Sequence, residues 1–373
     1  MGHTFDVAIA GGGIVGAACA EECAASGLTV VVVEPGPIGG GATAAGMGHI
    51  VVMDDSPAQI ALTRYSRSLW MARSADLPAD VEYVAAGTLW VAADEEEMAE
   101  VRRKLGVYRA IGVRAEVLAA GELAREEPHL RAGLAGGLLV PDDAVIYPPC
   151  AARYQLECAR QHGAVLRVGE AAASLSGQGI KLRDGTLLSA GIAVNATGAW
   201  APELTPGIDV RKRKGHLAIT ERYPGWMRHQ LVELGYLKSA HSTTQDSVAF
   251  NVQPRKTGQL LIGSSRQFGA EHAAIDHPML ARMLRRAQEY MPGLAELSVI
   301  RTWTGFRAAT PDKLPLIGPC PGDERLYLAT GHEGLGITTS LATGKLVADQ
   351  ILQRTPAIPV EPYLPGRKPE THG

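Results

Sequence analysis

The sequence predicts an α/β protein in two parts: a helix-covered parallel sheet assembled from separated stretches of chain, and an α+β part built on an antiparallel sheet. Three observations carry this. Residues 5–33 read as strand, helix and strand in succession, residues 210–306 alternate as an antiparallel sheet does, and a strand and long helix return at 326–352. With 373 residues the chain can fill two cores, and its 43 glycines suit tight turns or close approach of backbone to a ligand.

Residues 5–10 form the first buried strand, residues 14–26 an alanine-rich helix, and residues 28–33 a second buried strand of almost pure β-branched residues. Together they open the chain with a βαβ unit. A glycine-rich loop at 36–48 leads to an amphipathic helix that begins near Pro57 and carries apolar Ile60, Leu62, Leu69 and Met71. From Val81 a short strand pair, around Tyr83 and at 88–91, precedes a charged helix at 94–111, and this stretch reads as an inserted, more exposed lobe. Its acidic start, Asp94-Glu95-Glu96-Glu97, suits a helix N-terminus.

After Pro148-Pro149 a helix runs to His162, short strands follow between Gly177, Gly179 and Asp184-Gly185, and residues 192–196 form another buried strand. Strands 248–252 and 259–262 flank a turn at Lys256-Thr257-Gly258, ahead of a helix from Pro278 to Tyr290. Strand 326–329 and helix 337–352 close the body, before a tail rich in proline and charge. The domain plan gives 1–80, 141–208 and 307–355 to the first part, 81–140 and 209–306 to the second, and 356–373 to the tail.

A formal net charge of -3 argues against nucleic acid as a partner, since phosphate binding needs a basic face. The one dense basic run, Arg211-Lys212-Arg213-Lys214, reads as a solvated strand edge. No apolar stretch is long enough to span a membrane, and Asp6 interrupts what would be the apolar core of a signal peptide. Cys19, Cys23, Cys150, Cys158 and Cys320 form neither a CxxC pair nor a disulfide framework, which points to a cytoplasmic protein with reduced thiols. Cys19 and Cys23, four apart on a helix, read as small buried residues.

Gly11-Gly12-Gly13-Ile14-Val15-Gly16 fits GxGxxG, and its context makes it specific: it follows a buried strand, opens a helix, and precedes a second strand that ends in Glu34. This is a Rossmann-like dinucleotide site. Gly11 serves the tight turn, Gly13 the approach to the pyrophosphate, Gly16 the packing of helix on strand, and Glu34 a ribose hydroxyl. The helix start, with Ile14 and Val15, presents free N–H groups to phosphate. These residues serve NAD or FAD equally.

Two further segments decide between them. Asn195-Ala196-Thr197-Gly198-Ala199-Trp200 closes a mid-chain strand, and Gly331-His332-Glu333-Gly334-Leu335-Gly336-Ile337 joins the last strand to the last helix. With these the chain resembles, over nearly its whole length, the D-amino-acid oxidase family of flavoproteins, which includes glycine oxidase and sarcosine oxidase. The resemblance implies a discontinuous FAD-binding domain of the glutathione-reductase type, with an antiparallel-sheet substrate domain. It implies FAD contacts at Pro35, Ala42, Thr43, Gly46, Met47, Ala172, Ala196, Thr197, Gly198, Trp200, Gly331, Gly334, Leu335, Gly336 and Ile337. The last helix N-terminus would stabilise negative charge at the pyrimidine end of the flavin.

The segment from Arg301 to Gly318 resembles the family's return from the substrate sheet to the FAD domain, and Arg307 matches the arginine that binds the substrate carboxylate. Read from its neighbours alone, Arg307 could instead be an ion-pair partner of Asp312. Chemistry in this family is hydride transfer from the substrate α-carbon to flavin N5, so no general base is nominated. Phe250, Asn251, His332 and Glu333 are the expected pocket residues, with His241 near the same segments. Asn251 stands where glycine oxidase carries a tyrosine and Gly334 where it carries a second arginine, which puts glycine as substrate in doubt. Family members with covalent flavin use a cysteine near the Arg307 segment; none is there, so the FAD is expected to be non-covalent.

Within the family, the stretch from Gly40 to His49, Ile262 to Gln267, Thr310 to Gly318 and Gly331 to Ile337 look most like the catalytic subunits of D-hydroxyproline dehydrogenases, with opine oxidase and hydrogen cyanide synthase subunits close behind. This implies oxidation of cis-4-hydroxy-D-proline alongside a second flavoprotein (alpha) subunit and a small iron–sulfur (gamma) subunit, with FMN at an interface in some complexes. The chain has no cysteine cluster for iron–sulfur of its own. The alternatives are a self-sufficient glycine, sarcosine or D-amino-acid type oxidase that makes hydrogen peroxide, an opine oxidase subunit, or a non-catalytic flavoprotein subunit.

Overall fold

The strand Thr4–Ala10 lies at the middle of an eight-stranded sheet, between Leu187–Asn195 and Val30–Glu34, both parallel to it. The structure, a computed structural model, describes residues 4–235 and 246–367. Across this sheet the order is Leu316–Cys320, Asp323–Thr330, Leu187–Asn195, Thr4–Ala10, Val30–Glu34, Val165–Val168. Only Leu316–Cys320 runs antiparallel to its neighbour on this path, and a meander of Ala172–Ser176 and Gly179–Leu182 joins antiparallel at Leu187–Asn195.

Period-two side-chain alternation gives the sheet two apolar faces, and both are covered. Val7, Ile9, Val30 and Val32 face the helices Ile14–Ala25, Pro148–Gln161 and Gly336–Ile351. Ala8, Ala10, Val31 and Val33 face the meander and the end of the strand that carries Phe306 and Ala308. The first and last helices cross closely: a Cβ on Gly344 would lie 2.5 Å from the Ala18 carbonyl oxygen. Both helices open at the same end of the sheet, where a Cβ on Gly336 would lie 3.8 Å from Val15 Cγ2.

The second eight-stranded sheet runs Val299–Ala309, Arg211–Arg222, Gln259–Arg266, Ser247–Pro254, Gln230–Glu233, Thr88–Ala92, Gly136–Val140, Glu116–Ala119. One face carries Phe250, Val252 and Ile262 into a core with Met279, Met283 and Ala287 of the helix His277–Tyr290, whose first turn is capped by Asp276. The other face, bearing Asn251 and Leu217, turns toward the first sheet.

Two expectations change. Residues 81–111 are not an exposed lobe: Thr88–Ala92 is buried throughout and lies inside the second sheet, and the charged helix Glu95–Ala110 buries Met98, Val101, Lys104 and Tyr108. The basic run is not a solvated edge either. Arg211–Arg222 is the second strand in from the sheet's margin, and Arg213 and Lys214 are 7% and 0% exposed. Arg213 pairs with Glu333, and the Lys214 ammonium donates to the Ala274 carbonyl. In the helix Pro57–Arg73 the inward face is Leu62, Thr63, Ser66, Arg67 and Trp70, while Met71 points to solvent. No helix among the described residues is long and apolar enough to cross a membrane.

Candidate active site

A cleft of about 910 Å³ runs between the strand ends of the first sheet and the inner face of the second. Its first wall is bare backbone. Gly11 turns the chain at φ 111°, where a Cβ would sit 2.5 Å from the Ala196 carbonyl oxygen, and a Cβ on Gly16 would sit 1.9 Å from the Gly11 oxygen. Gly13 then caps Ile14–Ala25 without a side-chain bond, and Gly11, Gly13, Ile14 and Val15 line the cleft. Gly16 stands one layer behind, where the helix meets the turn.

The Glu34 carboxylate accepts from the N–H of Gly12 (2.7 Å) and of Gly36 (2.8 Å), which fixes it on the wall beside Pro35 with acceptor capacity remaining. Thr43, on the short helix Gly41–Ala45, accepts from the Ile14 N–H (3.0 Å) and so ties the loop carrying Ala42, Gly46 and Met47 to the helix start. Buried Asn195 shapes the opposite turn. Its Nδ2 donates to Ala201 O and Thr205 Oγ1, and its Oδ1 accepts from Thr197 N and Oγ1. That turn puts Ala196, Thr197, Gly198 and Trp200 on the wall, with Ala172 beyond them.

At the other end Arg307 extends from Val299–Ala309, directly opposite Arg213 in the strand pairing. Its guanidinium lies where glycines leave room: a Cβ on Gly215 would fall 2.5 Å from Nη1, and one on Gly334 would fall 3.6 Å from Nε. Nη1 donates to the Ser265 carbonyl (2.9 Å). Asp312, the alternative partner, is engaged by Arg367 at 2.7 and 2.8 Å.

Of the expected pocket residues, Asn251, His332 and Glu333 line the cleft and Phe250 does not. Phe250 is one residue out of phase: it points through the sheet's other face and stacks on Tyr290, ring centroids 4.5 Å apart. Gly331 and Leu335 also stand behind the wall, Gly331 against Thr310 and Leu335 against the apolar cluster around Val51 and Met53, while Gly334, Gly336 and Ile337 reach it. His332 is buried with Nε2 on Thr343 Oγ1 (2.9 Å), and burial pulls its pKa down to about 3, so the ring is neutral. Glu333 adopts φ 50° and accepts from Arg213 Nη1 at 2.9 Å. His241 lies outside the described residues.

Sequence reasoning missed His216 and His49. Fully buried His216 accepts the Asp276 N–H at Nε2 (3.0 Å), so Nδ1 carries the proton and meets Ser265 Oγ (2.9 Å). Burial and then Lys214 lower its pKa to about 4. His49 is likewise held at about 4 by burial, and its Nε2 is buried without a partner among the described residues. The cleft therefore offers two helix N-termini, an acceptor carboxylate and a guanidinium fork, with neutral imidazoles around them. This set fits a dinucleotide along the glycine wall and a carboxylate at Arg307.

Residues 6–350 match the family model described as DAO, FAD dependent oxidoreductase. The chain belongs to the DAO family. This DAO-family chain is 29% identical to glycine oxidase of Geobacillus kaustophilus, over 97% of each chain. It is 28% identical to hydrogen cyanide synthase subunit HcnC of Pseudomonas aeruginosa, over 98% of this chain and 97% of HcnC. Among solved structures it matches the G. kaustophilus glycine oxidase with a TM-score of 0.88 at 27% identity, covering 98% of this chain and 99% of that one. It matches L-proline dehydrogenase from P. horikoshii with a TM-score of 0.86 at 25% identity, covering 98% of each. The DAO-family chain is thus an FAD-dependent oxidoreductase that acts on the CH–NH group of a small amino acid. None of its five cysteines lines the cleft.

Proposed function

We propose that the chain oxidises a cyclic D-imino acid, cis-4-hydroxy-D-proline, to its cyclic imine, and that it does so as the catalytic subunit of a cytoplasmic dehydrogenase complex. The observation that carries the reading is the Arg307 guanidinium at the end of the FAD cleft, in a space that Gly215 and Gly334 leave open. Bound FAD supplies the hydride acceptor. The glycine wall, Glu34, Thr197 and the start of Gly336–Ile351 hold that cofactor, and Arg307 anchors the substrate through its carboxylate. Met47 and Leu217, packed together with Leu261, keep this end of the cleft apolar and limit water.

His216 and His332 are neutral and already bonded, so neither is assigned as a base. The amine arrives unprotonated, with its lone pair ready to form the C=N bond. The cyclic substrate is supported by the similarity to an L-proline dehydrogenase, and the complex by the similarity to a hydrogen cyanide synthase subunit. The partners in this reading are a second flavoprotein and a small iron–sulfur subunit, with FMN at an interface; the five free cysteines suit a reducing compartment.

The similarity to glycine oxidases favours a second reading, a self-contained oxidase that passes electrons to oxygen. The purified, FAD-loaded chain separates the two. Dye reduction with little peroxide in air is expected of the dehydrogenase subunit, and rapid peroxide formation overturns that reading.

A further inference from the structure

The strands Arg211–Arg222 and Gln259–Arg266 pair from Arg222 with Gln259 to Ala218 with Ile262, and next meet at a bridge between Lys214 and Gln267. Between these points the ladder is interrupted, and its backbone groups take other partners. The His216 N–H donates to Ser265 Oγ (2.9 Å), and the Ser265 carbonyl oxygen accepts from Arg307 Nη1 (2.9 Å) in the space beside Gly215. Ser265 Oγ also meets Nδ1 of His216 (2.9 Å), which carries the proton because Nε2 accepts from the Asp276 N–H. A serine hydroxyl has two acceptor sites, and here one histidine fills both. Ser265 and His216 are 1% and 0% exposed, so these bonds are dry and costly to leave unmade. Ser265 is thereby pinned by His216 while its carbonyl faces Arg307. A guanidinium is planar, so the acceptor that holds Nη1 sets the plane in which the fork meets a carboxylate.

We propose that His216 and Ser265 are positioning residues: His216 fixes Ser265, and the Ser265 carbonyl aims the Arg307 guanidinium at the substrate carboxylate. Neither side chain is assigned a contact with the substrate. This rests on the reading that the substrate carboxylate lies on Arg307.

The test is anaerobic titration of the FAD-loaded chain with cis-4-hydroxy-D-proline and with D-proline, reading the saturation constant and the limiting rate from loss of the flavin's visible absorbance. Ser265→Ala removes Oγ and leaves both His216 donors without their acceptor. It is expected to raise the saturation constant about tenfold, the scale of one charge-assisted hydrogen bond, while the limiting rate changes by less than about threefold. In an Arg307→Ala background the same substitution is expected to add no more than about twofold, since a residue that acts through Arg307 has nothing left to aim. His216→Asn can place an amide N–H where Nδ1 stands, whereas His216→Gln reaches toward Asp276 instead. The first is expected to bind substrate at least about threefold more tightly than the second. Flavin content reports whether each variant folds, and the His216 pair carries the test if Ser265→Ala does not hold FAD. The proposal is overturned, with the Arg307 reading intact, by an unchanged saturation constant in folded Ser265→Ala, by an equal loss in both backgrounds, or by His216→Gln binding as well as His216→Asn. If none of the three variants holds FAD, the network only supports the fold and the proposal falls. If Arg307→Ala alone changes nothing, or neither ring compound bleaches the wild-type flavin, the substrate reading falls and takes this assignment with it.

Discussion

Three histidines on the cleft are held neutral by burial: His49 and His216 at about 4 and His332 at about 3. A folded pKa below the unfolded value means that the unfolded chain binds more protons as the pH falls past the ordinary histidine range. Stability from these groups is therefore full above about pH 6.5 and lost toward pH 4, at up to about 1.4 kcal/mol per pH unit for each. Asp143, raised to about 6 by burial despite Arg67 and Thr88, works in the opposite direction below that pH. With three groups against one, the denaturation midpoint of the chain without FAD is expected to fall between pH 6.5 and 4.5. A flat profile there would contradict the neutral assignments. His216 was illegible in the sequence because Ser265 and Asp276, 49 and 60 residues away, define its setting. The glycines were legible because bare backbone is what that wall requires.

At the scale of elements, the crossing of Ile14–Ala25 and Gly336–Ile351 sets where both helix N-termini meet the cleft. Gly344 makes the crossing, and the atom in the way of a side chain is Ala18 backbone, which cannot rotate aside. Gly344→Val is expected to cost about 1–3 kcal/mol and to weaken FAD retention, read from the unfolding midpoint and flavin content. Unchanged FAD retention in a folded variant would show that the crossing does not position the site. The same elements show where sequence patterns failed. Alternation at 248–252 revealed a strand without its phase, so Phe250 and Asn251 were both expected in the pocket and only Asn251 reaches it. Thr88–Ala92 is buried on both faces and has no alternation to read. The basic start of Arg211–Arg222 looked solvated because its partners, Glu333 and Ala274, come from distant stretches.

Over the whole molecule, the cleft is walled by segments from both sheets, so a ligand that fills it ties them together. FAD binds the folded state and is expected to raise the thermal midpoint, with stabilisation of about 2.7 kcal/mol when free FAD exceeds its dissociation constant a hundredfold. No cysteine borders the cleft, so acid precipitation of the holoprotein is expected to release all of the flavin into the supernatant; yellow colour left in the pellet would contradict a non-covalent cofactor. The βαβ opening and the return of strand and helix at the end were legible because each is local. The docking of the second sheet was not, since it depends on contacts between stretches far apart in the chain.

Whether the substrate carboxylate is held at Arg307 beside the FAD is decided by anaerobic flavin bleaching with cis-4-hydroxy-D-proline, D-proline, sarcosine and glycine, in the wild type and Arg307→Ala. Cyclic D-imino acids are expected to bleach the wild-type flavin. Arg307→Ala is expected to retain FAD but to need on the order of a hundredfold more substrate, the loss of a bidentate charged contact. Flavin that none of the four compounds reduces, or an Arg307→Ala variant with an unchanged saturation constant, would contradict it.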